Sequence, residues 1–210
     1  MTLSRAYGRQ VFLNCPFDDG YRPIYEAIIF AILSCGFVVR CAREREDSGE
    51  PRISKIVEII RDSKFGIHDI SRVELDVANG LPRFNMPLEL GLFLGAKAYS
   101  GEPAQKKKRC LILDTEAYRY QKFVSDIAGQ DIRAHEGNPE KAMAVTRNWL
   151  ATLGKRELPG PALIKSRYGE FRADIPTILA RLSLEEDEVQ FVEYVQMANE
   201  WLLGRQEGIR

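Results

Sequence analysis

The 210-residue chain has two histidines, four cysteines, no excess of either charge and no long apolar run. Thirty basic residues (Lys and Arg) balance thirty acidic ones (Asp and Glu), giving a formal net charge of zero. Proteins that neutralise nucleic-acid phosphates usually carry a basic surplus or stripe, so a nucleic-acid partner is not expected. No stretch approaches the roughly 18 uninterrupted apolar residues of a membrane span. The longest candidate, Ala27 to Val39, is broken by Ser34 and Gly36. No apolar segment with a cleavage site follows the N-terminal arginines, which predicts a cytoplasmic protein. Cys15, Cys35, Cys41 and Cys110 show no CxxC spacing, and His68 and His135 are far apart in sequence. Neither a disulfide framework nor a structural zinc site is therefore expected, and no resident cofactor is called for. Glycine-rich phosphate loops are missing too: there is no GxGxxG after the first apolar run, no GxxxxGK[ST] and no GxSxG. Those gaps argue against ordinary dinucleotide oxidoreduction, P-loop hydrolysis and an α/β-hydrolase.

What the chain does have is enough apolar material for a core, at 45% hydrophobic and 10% aromatic residues. Over the first 150 residues or so, short apolar runs alternate with helical spacings. Strands are predicted at Val11–Asn14, Phe37–Cys41, Phe65–Ile70 and Cys110–Asp114, with a brief extended segment near Ile132. Helices are predicted at Pro23–Cys35, closed by Gly36, at Ile53–Ile60, Met86–Ala98, Tyr118–Ile127 and Pro139–Leu153. Met86–Ala98 is apolar around most of its circumference, which predicts a buried helix or one covered by another subunit. Repeated strand–helix–strand units predict an α/β fold. The expected architecture is a flavodoxin-like three-layer sandwich with a central parallel sheet. Gly154 to Pro161 reads as a linker, dividing an α/β domain over 1–153 from a C-terminal helical extension over 154–210. Helices are expected there at Tyr168–Leu182 and Glu185–Leu203. The second would open on an acidic run and dock through Val189, Val192, Val195 and Trp201 on the body or a partner. Ser183 to Gly204 holds six acids and no Lys or Arg, so the rest of the chain carries the matching basic surplus.

In an open parallel sheet, ligands bind beyond the carboxyl ends of the strands, which directs attention to the residues just after each one. Glu89 stands in the expected first turn of an otherwise apolar helix started by Pro87. An isolated buried carboxylate is costly. Glu89 is therefore either a cap or a partner of Arg72 or Arg83, or else a nucleophile or cation stabiliser facing a pocket. Asp69 ends the third strand, where it either orients such a carboxylate, binds a ribose hydroxyl or caps the turn at Ser71. Asn14 is a candidate amide for a base edge, and Phe17 and Tyr21 are candidates to stack on a base or to pack the core. Asp18 and Asp19 either cap the following helix or bind ribose, and Cys15, with no cation assured nearby, reads as a packing residue. His135 is a candidate acid or base, or a surface-loop residue. Lys106–Arg109 read as a solvated edge, and the mixed charges of Arg40–Asp62 as a solvated loop and helix face or a lid.

Taken together, Asn14-Cys15-Pro16-Phe17, Asp62-Ser63, Asp69-Ile70-Ser71 and Glu89-Leu90-Gly91 with Gly95-Ala96 resemble the nucleoside 2-deoxyribosyltransferase family and the TIR-like bacterial proteins. The resemblance spans roughly residues 8 to 150. It implies a flavodoxin-like fold and a glutamate, here Glu89, acting at the anomeric carbon of a nucleoside or of NAD. It also implies that the segment Cys15 to Asp19 holds base or sugar, that Ser71 and Asn85 border the pocket, that self-association accompanies activity, and a role in bacterial defence. Arg83-Phe84-Asn85-Met86-Pro87 stands where the transferases have an Asp and a Gly-Thr pair, and Cys15 where they have Gly. The expectation is an N-glycosidase or glycosyl-transferring enzyme with Glu89 and Asp69 catalytic and NAD or another nucleotide as substrate. The alternative is a noncatalytic nucleotide-sensing or assembly module that docks a protein partner through its C-terminal helices.

Overall fold

The computed structural model describes residues 6–75, 80–154 and 157–207, so Lys155 and Arg156 of the expected linker lie outside the described residues. In chain order the elements are β1 (Gln10–Asn14), α1 (Arg22–Ser34), β2 (Val38–Arg40), α2 (Arg52–Asp62), β3 (Phe65–Asp69), α3 (Asn85–Tyr99), a short α4 (Pro103–Lys106), β4 (Arg109–Asp114), β5 (Arg133–Ala134), α5 (Pro139–Ala151), α6 (Pro161–Leu182) and α7 (Phe191–Glu207). All strand pairings are parallel, in the order β2-β1-β3-β4-β5. This is the doubly wound, flavodoxin-like arrangement, with C-terminal helices added. Strand order reverses between β1 and β3, and a crevice opens beyond the carboxyl ends of those two strands.

Every residue of β1 and β3 is buried, because helices cover both faces of the sheet and the usual in/out alternation is lost. Val11 and Leu13 face a core shared with α1, α5, α6 and α7, while Phe12 faces Ile56, Ile59, Ile60 and Phe93 of α2 and α3. Gly36 closes α1 in the left-handed region at φ 72°. Its N–H donates to Leu33 O and the Phe37 N–H to Ile32 O, the paired bonds of a Schellman motif.

The C-terminal helices are built into the larger core. Phe171 is fully buried, stacks on Phe30 at 5.4 Å and lies 5.7 Å from Trp201. Glu26 on α1 is buried between Arg22 at 2.8 Å and Arg172 of α6 at 2.7 Å, and Tyr194 Oη of α7 donates to the Glu26 carbonyl. A buried carboxylate held by two guanidiniums fixes α6 against α1, since removing either partner would strand a charge. Of the expected docking stripe on α7, Val189, Val195 and Trp201 pack on the core, whereas Val192 is exposed.

Several expectations are corrected. Only Glu89, Leu90 and Phe93 of α3 are buried; Leu88 and Tyr99 are exposed, because no described residue covers them on the side away from the sheet. Tyr118–Ile127 folds as two 3-10 turns, Arg119–Lys122 and Ser125–Ile127, the first entered through Tyr118 at φ 63°. α6 begins earlier than expected, with Pro161 in its first turn, where a missing N–H costs nothing. α7 begins later, at Phe191. Glu193 accepts the Gln190 N–H, a capping arrangement that sets the start beyond the acidic run Glu185–Glu188. Lys108 is not on a solvated edge. It is fully buried, donates to the carbonyls of Ile60 (2.6 Å) and Ser63 at the end of α2, and lies 4.9 Å from the Phe93 ring centre. Burial pulls its ammonium down to about 8. The charges of Arg40–Asp62 are largely paired, Arg40 with Glu44 and Arg45 with Glu50 and Glu58. No helix among the described residues is long and apolar enough to cross a membrane.

Phe171→Ala should cost about 3–5 kcal/mol, because it opens a cavity where α1, α6 and α7 meet. Urea unfolding checks this, and a loss below about 1 kcal/mol would mean that the C-terminal helices are not integral to the core.

Candidate active site

The crevice begins with Asn14, the last residue of β1. Its amide nitrogen donates to His68 Nδ1 at 3.1 Å and to the Met86 carbonyl at 2.9 Å. The end of β1 is thereby tied to β3 and to the first turn of α3. His68 is sealed between the rings of Phe12 and Phe93, and burial with the Lys108 charge pushes it down to about 3, so it is a neutral acceptor. Both Asn14 amide hydrogens are thus committed, which leaves its carbonyl oxygen for a ligand.

Glu89 is the fifth residue of α3, just past the first turn in which it was expected. It is 6% exposed and forms no hydrogen bond or ion pair among the described residues. Neither Arg72 nor Arg83 pairs with it: the opposing charge that acts on it is Arg52, and Arg72 instead donates to Asp18 at 3.1 Å. Burial raises the Glu89 carboxyl to about 7, with Arg52 only partly opposing. Together with Asn14, Cys15, Pro16, Phe17, Asn85 and Met86, Glu89 lines a cavity of about 460 Å³. Phe17 is held against Tyr25 at 5.6 Å, and the Arg43 guanidinium lies 4.8 Å from its ring centre. Burial, followed by the charges of Asp69, Cys41 and Glu89, pushes the Cys15 thiol well above its ordinary value, so it serves as packing and not as a nucleophile.

The other expected residues form a second cluster behind the cavity wall. Asp69 is fully buried: its Oδ2 accepts from Tyr21 Oη at 2.5 Å and its Oδ1 from the Ser71 N–H at 2.9 Å. Burial and the Asp69 carboxylate hold the Tyr21 phenol well above its usual range, so it stays a donor. His135, expected as a surface residue or an acid–base group, is also fully buried. Its Nδ1 accepts the Gly137 N–H, which puts the ring proton on Nε2. That nitrogen lies 3.0 Å from Asp69 Oδ2 but off the hydrogen-bond axis, so the contact is dipolar. Asp69, Tyr21 and Ser71 are therefore absent from the cavity lining, and Asp69 takes the capping role at Ser71. Asp19 is exposed and also outside the lining, while Asp18 borders the cavity and accepts the Tyr21 N–H at the start of α1. Among the described residues, no group of three or more His, Cys, Asp or Glu is placed to hold a metal ion.

The sequence reading named Arg72 and Arg83 only as partners of Glu89 and missed Arg43 and Arg52 as site residues. All four line the cavity, against the carboxylates of Asp18 and Glu89. Arg43 follows β2 and Arg52 opens α2. Their position beyond strand ends was the available signal, but the mixed charges around them read as solvated surface. Comparison with protein-family models, with curated proteins and with solved structures gives no match.

The raised Glu89 carboxyl makes a prediction that needs no ligand. Its folded pKa of about 7 lies above an unfolded value of about 4.3, so the native state binds the proton more tightly. That advantage is complete below pH about 4 and is lost as pH rises through about 7, leaving an ionised, buried group. Glu89→Gln should therefore stabilise the fold by on the order of 2–3 kcal/mol at pH 8 and change little at pH 4. Thermal unfolding at the two pH values measures the difference, and equal shifts at both would refute the buried, unpaired state.

Proposed function

We propose that the protein cleaves, or transfers across, the N-glycosidic bond of a nucleotide or nucleoside, NAD-type substrates being favoured. Glu89 would be the group at the anomeric carbon. The observation that carries this reading is a buried carboxylate without a hydrogen-bond or ion-pair partner among the described residues, lining a cavity at the point where strand order reverses. Its surroundings suit the chemistry. As the bond from the anomeric carbon to the base nitrogen breaks, the electron pair leaves with the base: the nicotinamide of NAD, a pyridinium before cleavage, departs neutral, whereas a purine or pyrimidine also takes a proton from water. The sugar becomes cationic, and the Glu89 carboxylate stabilises it by charge or by forming an ester, which water or a second base then resolves. Phe17, held edge-on and capped by Arg43, offers a face for the base, and Asn85 offers an amide at the same rim. The reaction would run in the cytoplasm and needs no resident cofactor.

One observation favours the second reading, a nucleotide-sensing or assembly module without turnover. Asp69 is sealed behind the cavity wall, so it gives Glu89 no companion carboxylate. Turnover separates the two readings. Release of free base from NAD or nucleosides should rise with pH through about 7, as Glu89 loses its proton, and should fall at least 100-fold in Glu89→Gln. Base release that survives this substitution would sink the role of Glu89, and binding without release would favour the sensing module.

Self-association belongs to the same proposal. Phe84, Leu88 and Tyr99 are exposed along one side of α3, with Gly91 between them. A contiguous apolar surface of several hundred Å² is typical of an interaction site, and a second copy of the chain would cover it. Sedimentation at micromolar concentration should give an oligomer, reduced to monomer by Leu88→Asp. A monomeric wild type would end this part of the proposal.

A further inference from the structure

The cavity that holds Glu89 has one property that the chemistry at the anomeric carbon does not use. Four arginines line it against two carboxylates, and one of the latter, Asp18, is already occupied by Arg72. Arg43 and Arg52 form no ion pair among the described residues, although most arginines elsewhere on the surface are paired, among them Arg40, Arg45, Arg61, Arg119 and Arg205. Arg43 lies over the Phe17 ring, 4.8 Å from its centre, and its side chain makes no hydrogen bond among the described residues. Arg52 begins α2, whose N-cap, Pro51, makes no side-chain capping bond. The N-cap of α3, Phe84, makes none either, and Asn85 and Met86 of its first turn line the same cavity. Two guanidiniums without an ion-pair partner among the described residues and two helix N-termini without side-chain caps border one space. Both features favour an anion with several acceptor oxygens, and a guanidinium matches such an anion in a bidentate way that an ammonium does not.

We propose that Arg43 and Arg52 bind the 5′-phosphate of the ligand, so that the crevice takes phosphorylated ribosides and discriminates against the free nucleoside. This rests on the crevice being the ligand site, but not on turnover at Glu89. A phosphomonoester such as AMP and a pyrophosphate diester such as NAD present the same oxygens, and the experiment includes both. With Arg43 and Arg52 engaged by phosphate, the carboxylate is free to face the sugar.

Isothermal titration calorimetry of the full chain with AMP, NAD and adenosine tests this. AMP or NAD should bind at least 10-fold more tightly than adenosine, with affinity that falls as salt rises from 50 to 300 mM. Arg43→Ala and Arg52→Ala should each weaken the phosphorylated ligand about 10-fold or more and leave adenosine unchanged, since one charge-assisted bond is of that size. Arg133→Ala, on the short edge strand β5 and outside this cavity, controls for loss of a positive charge and should leave all three affinities unchanged. Circular dichroism confirms that each variant is folded. Preference for AMP over NAD, or the reverse, identifies the phosphate source. Adenosine binding as tightly as AMP, equal weakening of all ligands by the arginine variants, or no binding of any of the three would overturn the inference. Its failure is separable from that of the glycosidase reading. Base released equally from AMP and adenosine leaves Glu89 in its role and removes the phosphate site, whereas phosphate-dependent binding without release does the opposite.

Discussion

The amide of Asn14 fixes the geometry on which the crevice depends. One group, at the end of a fully buried strand, donates one hydrogen to His68 on β3 and the other to the Met86 carbonyl at the start of α3. The His68 bond requires a neutral ring with a lone pair on Nδ1. Burial between Phe12 and Phe93, with the Lys108 charge nearby, keeps the ring in that state. Gly66 leaves space for it: a Cβ there would stand 2.6 Å from His68 Nε2 and 2.9 Å from the Phe93 ring. The chain from Gly66 through His68 and Asn14 to Met86 thus sets where α3 begins, and so where Glu89, three residues further on, meets the cavity.

A carboxylate in that position lowers stability once it is ionised, and among the described residues the Arg52 charge offsets only part of the cost. Other buried acids are treated differently. Glu26 is clamped by Arg22 and Arg172, Asp114 accepts from Arg119, and Asp69 accepts from Tyr21 and the Ser71 N–H. Glu26 and Asp69 use both carboxylate oxygens within the protein, Asp114 uses Oδ1 alone, and all three hold elements together. Glu89 alone of the four faces a solvent-sized space with its oxygens uncommitted. Groups left in this state are expected where function, and not folding, fixes the residue.

The order of elements could be read from the sequence because parallel strands buried on both faces are unbroken apolar runs, and Gly36 and Pro87 mark helix ends in ways that depend only on local backbone. Glu89 could be read for a similar reason: an acid in the midst of Leu88, Leu90, Leu92 and Leu94 stands out against its neighbours. The arginines could not, since Arg43 and Arg52 are separated by acids with which they do not pair. Only the fold brings them to one rim. Lys108 was hidden by its company, because Lys106, Lys107 and Arg109 point to solvent while it turns inward to the carbonyls that end α2. Asp69 and His135 look alike in sequence to any polar pair at strand ends. Their withdrawal into the core follows from Tyr21 and Gly137 lying beside them, which no local pattern encodes.

The neutral total charge is compatible with a strongly uneven field. The acids of the α6–α7 connection lie on the α1 side of the sheet, where Glu186 approaches Arg172 at 3.6 Å and so extends the cluster around Glu26. Positive charge on that side is consumed by contacts that hold the C-terminal helices. At the carboxyl ends of β1 and β3, the arginines outnumber the acids and two of them have no counter-ion among the described residues. Potential at a concave site depends on the charges lining it and on the low-dielectric walls that confine the field, so a sum over the chain says nothing about it. Of the acidic C-terminal segment, Glu186 alone approaches an arginine among the described residues, Arg172, and its other acids balance the total charge from the packed side of the sheet, so a neutral sum coexists with the surplus in the crevice.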